Sequence, residues 1–218
     1  MKKNNPEITP AIIAHSKPEL IKKLKNFEPF FSTAQIDLMD DCFVANKTIS
    51  PIAIKGLRTR LDLEFHLMVK HPLTWAKRLV SHPKTKRIIF HYEACKDDQE
   101  ILDTRNFIHK KNIEVGLAIN PMTKVTSVEH LISVFDSILI MGVTPGKAGQ
   151  KLRLSTLKKL GQVRKLNRHI KLQFDGGANQ KTIGKIVDSG AQRIAVGSVL
   201  EESNDKRKTI SGLKKMIK

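Results

Sequence analysis

Residues 61–69 read LDLEFHLMV, and this run decides how the rest of the chain is interpreted. By the two-residue period of a strand, Glu64, His66 and Met68 lie on one face and the leucines and phenylalanine on the other. A carboxylate and an imidazole inside so apolar a run are costly to bury without partners. The run therefore predicts a buried strand that carries ionisable groups into the protein.

Seven further runs resemble it, at intervals of roughly 25 residues, and segments with helical apolar spacing separate them. The eight predicted strands are residues 8–13, 34–39, 61–69, 87–94, 114–120, 137–143, 171–176 and 193–198. Helical faces are predicted for Leu154, Leu157, Leu160 and Val163 and for Ile183, Ile186 and Val187, with lysines opposite. Repeated βα units indicate an α/β fold, a single-domain (β/α)8 TIM barrel over residues 1–218, although an open doubly wound sheet uses similar units.

Composition excludes several classes of protein. The chain has 218 residues, 40% of them hydrophobic, which excludes a disordered chain, and no apolar stretch is long enough to span a bilayer. Cys42 and Cys95 stand in unrelated segments, which argues against a disulfide scaffold or a zinc ribbon. The start, MKKNNPEITPAII, reaches Pro6 and Glu7 before an apolar segment forms, so no signal peptide is predicted. A cytoplasmic location is expected.

The net charge of +18 is concentrated in the second half of the chain. Between Asp136 and Asp175 there is no acidic residue, whereas nine lysines and arginines occur there. Such a run is typical of a solvated helix face, but it also suits a nucleic acid or another polyanion. Aromatic residues, on which single-stranded nucleic acid would stack, are missing from residues 137–173, so a nucleic-acid partner is disfavoured without being excluded.

Three ionisable residues stand where predicted strands carry or end in polar groups. Asp37 shares a strand face with Gln35 and Met39, His66 lies in the third strand, and Asp175 ends the seventh. In a barrel, reactive groups gather at the carboxyl ends of the strands. Two aspartates and a histidine converging there predict either a divalent metal site or a structural ion-pair network.

Glycine-rich segments follow the last three predicted strands, where barrels often bind phosphate. Glycine lets backbone N–H groups approach a phosphate closely, and a lysine in the first segment adds positive charge. The predicted phosphate-binding residues are Gly146, Lys147, Ala148, Gly149, Gly176, Gly177, Gly197 and Ser198.

The segments QIDLMDDCFVANKTIS, FHLMVKHP, GLAINP, MGVTPGKAGQ, FDGGAN and AVGS resemble, in this order, the motifs of the ribulose-phosphate 3-epimerase family. The resemblance runs from about residue 8 to 200. It implies a (β/α)8 barrel and the reversible inversion at C3 of a ketopentose 5-phosphate, ribulose to xylulose, in the pentose phosphate pathway. A small phosphorylated sugar is then the partner, with no membrane involved and a homo-oligomer left open.

The resemblance also implies roles for individual residues. Asp37 and Asp175 match two acid/base aspartates that also bind metal, and His66 matches a metal-ligand histidine. Met39, Met68 and Met141 match methionines that line the pocket beside the reacting carbons, although methionine often only fills a core. One divalent ion is implied, whether Zn, Fe, Mn, Co or Mg.

Several positions depart from the family pattern. Gln35 stands where the family has a metal-ligand histidine, and an amide oxygen is the weaker ligand for zinc or ferrous iron, so lower metal affinity or a preference for harder ions is expected. Ala11 replaces a serine, Asp41 a glycine and Ala45 a proline, and GKAG replaces GFGG. Two alternatives stay open: an enzyme for another phosphorylated ketose, and a non-catalytic barrel with a polyanion-binding basic face.

Overall fold

Eight parallel strands close into a barrel in the computed structural model, which describes residues 5–217. Strands adjacent in the chain are adjacent in space, and the last strand pairs with the first. The strands are β1 Glu7–Ile12, β2 Thr33–Met39, β3 Asp62–Met68, β4 Thr85–His91, β5 Glu114–Ile119, β6 Ser137–Met141, β7 Lys171–Asp175 and β8 Arg193–Val196. The predicted (β/α)8 barrel is confirmed, and the open doubly wound sheet is excluded.

Helical segments surround the barrel. They are α1 Lys17–Phe27, α2 Pro51–Ile54, α3 Pro72–Leu79, α4 Asp98–His109, α5 Leu157–Leu166, α6 Ile183–Asp188, α7 Ser198–Glu201 and α8 Lys206–Lys215. The N-termini of α1, α4 and α8 are capped by Ser16, Asp97 and Asp205, whose side chains each accept a hydrogen bond from a backbone N–H of the first turn. Between β5 and β6 the crossover is a 3-10 segment, Val125–Val134, and no helix of residues 5–217 is long and apolar enough to cross a membrane.

The outer faces of the strands and the inner faces of the helices form the main apolar core, to which the predicted Leu160, Val163, Ile183 and Ile186 belong. The barrel interior is different, because a small apolar cluster, Ile89, Ala118, Leu139 and Met141, lies there beside buried polar residues. Strand register explains this composition: Glu64 pairs with Gln35 on one side and with Arg87 on the other.

We call Glu64, Arg87 and Gln173 the polar layer; all three are fully buried inside the barrel. Arg87 forms an ion pair with Glu64 and a second, at 2.9 Å from its Nε to Oε1, with Glu114. Gln173 donates its amide N–H to the other oxygen of Glu64. A buried carboxylate with two such donors is satisfied, and the layer forms a polar floor under the carboxyl end of the barrel.

Seven of the eight predicted strands agree with the structure to within two residues at each end. The fourth was predicted to reach residue 94, but β4 ends at His91 and a 3-10 turn follows, Tyr92–Ala94. Pairing with β5 stops at His91. Beyond it the Glu93 carboxylate accepts the N–H of Asn120 at 2.8 Å, so a side chain replaces the backbone ladder there.

The basic segment between β6 and β7 also departs from its prediction. Leu154, assigned to the apolar face of a helix, lies in a 3-10 turn and is 56% exposed, because α5 begins only at Leu157. Lys159, assigned to the solvated face, is only 7% exposed. Its ammonium donates to the carbonyls of Asn120 and Thr123 at 2.8 and 2.6 Å, and it therefore ties α5 to the loop after β5.

Candidate active site

Asp37, His66 and Asp175, which we call the Asp–His–Asp cluster, meet at the carboxyl end of the barrel. Register places Asp37 directly beside His66, and closure of the barrel brings β7 to the opposite side. His66 Nδ1 lies 3.2 Å from Asp37 Oδ1 and 3.3 Å from Asp175 Oδ2. The structure thus brings together the three residues that the sequence singled out separately.

Gln35 lies one step below Asp37 on the same face of β2, and it is fully buried. Its amide nitrogen donates to Asp37 Oδ1 at 2.8 Å and to Asp175 Oδ2 at 2.6 Å, and it lies 3.4 Å from His66 Nδ1. The nitrogen is therefore within hydrogen-bonding distance of all three members of the cluster. In this arrangement Gln35 acts as a donor, and its oxygen points away from the cluster.

The two aspartates have opposite electrostatic environments. Burial, together with the nearby charge of Asp175, raises the pKa of Asp37 above its ordinary value. Burial acts in the same direction on Asp175, but hydrogen bonds from His66 and Gln35 outweigh it and lower the pKa of that carboxyl. Environments that shift the pKa values of two facing carboxyl groups in opposite directions are the means by which proteins separate an acid from a base.

Stability of the metal-free protein should depend on His66. Burial opposes its charge, but hydrogen bonds and attraction from Asp175 and Asp37 raise its pKa to about 10, above the unfolded value of 6.5. The stabilisation is therefore complete below pH 6.5 and is lost as the pH rises towards 10. In chelator, we expect urea unfolding to show a loss of about 2 kcal/mol from pH 7 to 8.5, at up to about 1.4 kcal/mol per pH unit.

His66→Asn is the control for this prediction, since asparagine cannot titrate in that range. Its unfolding free energy should stay level over the same interval. A wild-type protein whose stability is level or rises from pH 7 to 8.5 would contradict the prediction.

Sequence reasoning missed His91, which ends β4 and packs against His66. The two rings stack with centroids 5.1 Å apart, and their Nε2 atoms are 2.9 Å apart. His91 Nδ1 faces Glu93 Oε2 at 3.5 Å, and burial lowers the pKa of His91. A neutral His91 can therefore accept the Nε2–H of His66, which leaves His66 Nδ1 directed at the aspartates. The sequence did contain a signal for His91, because this residue ends an apolar run as Asp175 does.

The predicted phosphate-binding residues line the other half of the same pocket. They lie in the loops after β6 and β7 and at the start of α7, which follows β8. Gly146, Gly176 and Gly177 have positive φ angles of 110°, 102° and 74°, and a Cβ on Gly177 would lie 2.7 Å from the backbone nitrogen of Leu152. Only glycine fits so close an approach without strain. Lys147 is exposed on the first of these loops, close to the pocket mouth.

A loop after β2 packs against the glycine loop after β6. Asn46 donates to the carbonyl of Gly146 at 2.8 Å, which joins this loop to the loop after β6. Asp41 adopts a left-handed φ of 62°, a conformation that aspartate tolerates better than most residues. This explains how Asp41 can stand where the family motif has glycine.

Met39, Met68 and Met141 are each at most 3% exposed, yet all three line the cavity next to the Asp–His–Asp cluster. The volume of the cavity is about 140 Å³. Ala11, at the position where the family carries serine, lines it as well. An apolar wall on one side and glycine loops on the other suit a small ligand with one charged end.

The cluster also fits a divalent metal ion in three of four expected positions. One ligand atom each from Asp37, His66 and Asp175 lies within 4.8 Å of the others. Carboxylate oxygen with imidazole nitrogen is a donor set that suits Zn, Fe, Mn or Co. Gln35 does not fit as a ligand in its present orientation, since it directs N–H groups and no lone pair at the cluster.

Ionisable groups at the carboxyl end of a closed (β/α)8 barrel define a barrel enzyme, because that end carries the active site in such enzymes. Among families with this architecture, the model of the ribulose-phosphate 3-epimerase family matches residues 7–200. The chain belongs to the ribulose-phosphate 3-epimerase family and is an enzyme of the isomerase class.

Named relatives match nearly the whole chain. The ribulose-phosphate 3-epimerase of Schizosaccharomyces pombe is 31% identical over 217 residues, which cover 97% of this chain and 93% of the relative. That of Bacillus subtilis is 29% identical over 216 residues, covering 95% and 98%. That of Escherichia coli K12 is 32% identical over 185 residues, covering 82% and 80%.

Solved structures share the fold at low sequence identity. A 3-hexulose-6-phosphate synthase from Salmonella typhimurium is 13% identical and superposes with a TM-score of 0.73, covering 97% of this chain and 98% of that one. A 3-keto-L-gulonate-6-phosphate decarboxylase from Vibrio cholerae gives 0.73 at 12% identity, with 98% of each chain covered. At such identity the similarity shows the barrel fold alone.

Proposed function

We propose that this enzyme inverts C3 of a ketopentose 5-phosphate, interconverting ribulose 5-phosphate and xylulose 5-phosphate. The observation that carries the proposal is the pair Asp37 and Asp175, whose carboxyl oxygens both lie within 3.3 Å of His66 Nδ1 and line one pocket. Inversion beside a ketone needs one group to remove the C3 proton and another to return a proton to the opposite face. Membership of the epimerase family supports the same reaction.

The pKa directions support an assignment of the starting roles. Asp175, whose pKa is lowered, is ionised and takes the C3 proton, and its electron pair forms the new O–H bond. Asp37, whose pKa is raised, holds the proton that it delivers to the opposite face of the carbon. In the reverse direction the roles exchange, as they must for a reversible reaction.

The rest of the pocket positions the substrate for these steps. The glycine loops would hold the phosphate, so that binding energy at the remote end orients C3 between the aspartates. The three methionines would keep water from the carbanionic centre. A divalent ion held by Asp37, His66 and Asp175 would supply Lewis-acid stabilisation to the substrate oxygens.

Cys42 and Cys95 are free thiols, and we propose a cytoplasmic location on that basis.

Turnover with defined substrates tests the proposal. Purified enzyme should form xylulose 5-phosphate from ribulose 5-phosphate, with Mn, Zn, Fe, Co or Mg added in separate assays. Parallel assays with hexulose 6-phosphates test the alternative of another phosphorylated ketose. Failure with the pentose under every condition, with or without metal, contradicts the proposed function.

The basic surface is the reason to test a polyanion as well. Part of the positive charge has a structural use, because Lys159 ties two segments together and Arg164 donates to the carbonyls of Arg168 and Ile170. Lys147, Lys151 and Lys158 remain exposed. A non-catalytic barrel would bind RNA or DNA in a salt-dependent way, and this binding would survive Asp37→Asn and Asp175→Asn.

A further inference from the structure

The amide nitrogen of Gln35 lies where a metal ion bound to the cluster would have to lie. It is 2.8 and 2.6 Å from the carboxylate oxygens of Asp37 and Asp175 and 3.4 Å from the imidazole of His66. These atoms are the three that would ligate a cation. A metal ion can enter only if this nitrogen leaves.

The polar layer determines which end of the Gln35 amide faces the cluster. Arg87 can only donate and Glu64, as its ionised partner, can only accept, so their ion pair leaves Glu64 needing donors. Gln173 therefore turns its NH2 group towards Glu64, and the same nitrogen lies 3.4 Å from the oxygen of Gln35. With its oxygen directed down at Gln173, Gln35 must direct its NH2 group up at the aspartates.

Reversing Gln35 would break the arrangement at both ends. Its NH2 group would then face the NH2 group of Gln173, donor against donor, in a site closed to water. Gln173 cannot reverse in response, because its oxygen would then face the carboxylate of Glu64. The orientation is thus set by a chain of donors and acceptors that begins at Arg87, two strands away from Gln35.

We propose that Gln35, held by Gln173 and the Glu64–Arg87 pair, competes with a divalent metal ion for Asp37 and Asp175. This inference deepens the proposed function, since it takes the Asp–His–Asp cluster as the metal site. The amide keeps the two aspartates together in the absence of metal, and metal binding must break its hydrogen bonds to both carboxyl groups. Gln35 therefore lowers the affinity of the site for metal and is not one of its ligands.

Metal affinity measured with Co²⁺ alone tests this, by titration calorimetry and by the visible absorption of the ion. Gln35→His, which exchanges a donor for a ligand, should tighten Co²⁺ binding about 10-fold or more. Gln173→Met, which removes the donor that holds the Gln35 oxygen, should also tighten it. Damage to the fold can only weaken binding, so a gain in the second variant reports the release of Gln35.

Thr9→Val is the matched control. Thr9 is a buried polar residue on β1, and its hydroxyl has no hydrogen-bond partner among the described residues, so Co²⁺ affinity should not change. Co²⁺ affinity that is not increased in a Gln173→Met variant with wild-type stability in urea, or equal affinity of the wild type and Gln35→His, would overturn the inference. Turnover of ribulose 5-phosphate separates this inference from the proposed function. If the wild type is active and binds Co²⁺ as tightly as Gln35→His does, only the inference is overturned. If both variants gain Co²⁺ affinity but the protein is inactive, only the proposed function is overturned.

Discussion

Asp175→Asn should reduce kcat for ribulose 5-phosphate by about 10²–10⁴-fold, the range typical of a lost general acid or base. Asparagine keeps the shape of the side chain and can still bond to Gln35, but it cannot accept the C3 proton. KM should change much less than kcat, because the loops proposed to hold the phosphate are untouched. Steady-state kinetics on purified variants measure both constants, and Asp37→Asn should behave in the same way.

Asp62→Asn is the matched control for these variants. Asp62 begins β3 at the end of the barrel opposite to the cluster, and its partners are Lys84 and Lys86 at 3.7 and 3.5 Å. The same chemical change there should leave kcat within twofold of the wild type, a bound suggested by the small effects of exposed ion pairs. An Asp175→Asn enzyme that keeps a tenth or more of wild-type turnover would contradict the acid/base assignment.

Arg87→Met should lower the free energy of unfolding by about 3–5 kcal/mol, because it leaves the Glu64 carboxylate buried without its cation. Methionine fills most of the same space, so the loss comes mainly from the uncompensated charge and much less from a cavity. Glu114, the second partner of Arg87, retains Arg193 and is less affected. Urea unfolding monitored by circular dichroism measures the difference.

Lys86→Met provides the comparison on the same strand. Its side chain is 42% exposed and pairs with Asp62 at 3.5 Å, so losing it should cost less than about 1 kcal/mol. If the two variants are equally stable, the polar layer does not contribute the buried ion pair described above. Replacing Glu64 as well, in Glu64→Leu with Arg87→Met, should recover much of the loss, since no charge then remains buried without a partner.

Local sequence pattern predicted the eight strands and favoured the barrel over an open doubly wound sheet, because each strand is a short apolar run and the runs recur at regular intervals. The same pattern located Asp37, His66 and Asp175, since an ionisable residue in an apolar run is conspicuous. The pattern failed where a side chain replaced backbone pairing, at Glu93, and where an apparent surface lysine was buried, at Lys159.

Contacts between distant strands could not be predicted in this way. The Gln35 amide bonds to Asp175, 140 residues further along the chain, and Gln173 bonds to Glu64 at a separation of 109 residues. Which end of an amide faces a carboxylate depends on such partners and on nothing local. Sequence alone therefore presented Gln35 as a weakened ligand, whereas the structure presents it as a donor at the centre of the cluster.

Deuterium incorporation from D₂O at C3 tests the two-aspartate account most directly, with NMR of the substrate and product as the readout. Xylulose 5-phosphate formed by the wild type should carry deuterium at C3, because one aspartate removes the proton and the other returns one taken from solvent. Asp175→Asn and Asp37→Asn should each retain exchange at C3 of a single epimer without forming the other. A product that keeps its original hydrogen at C3 in D₂O would contradict the account.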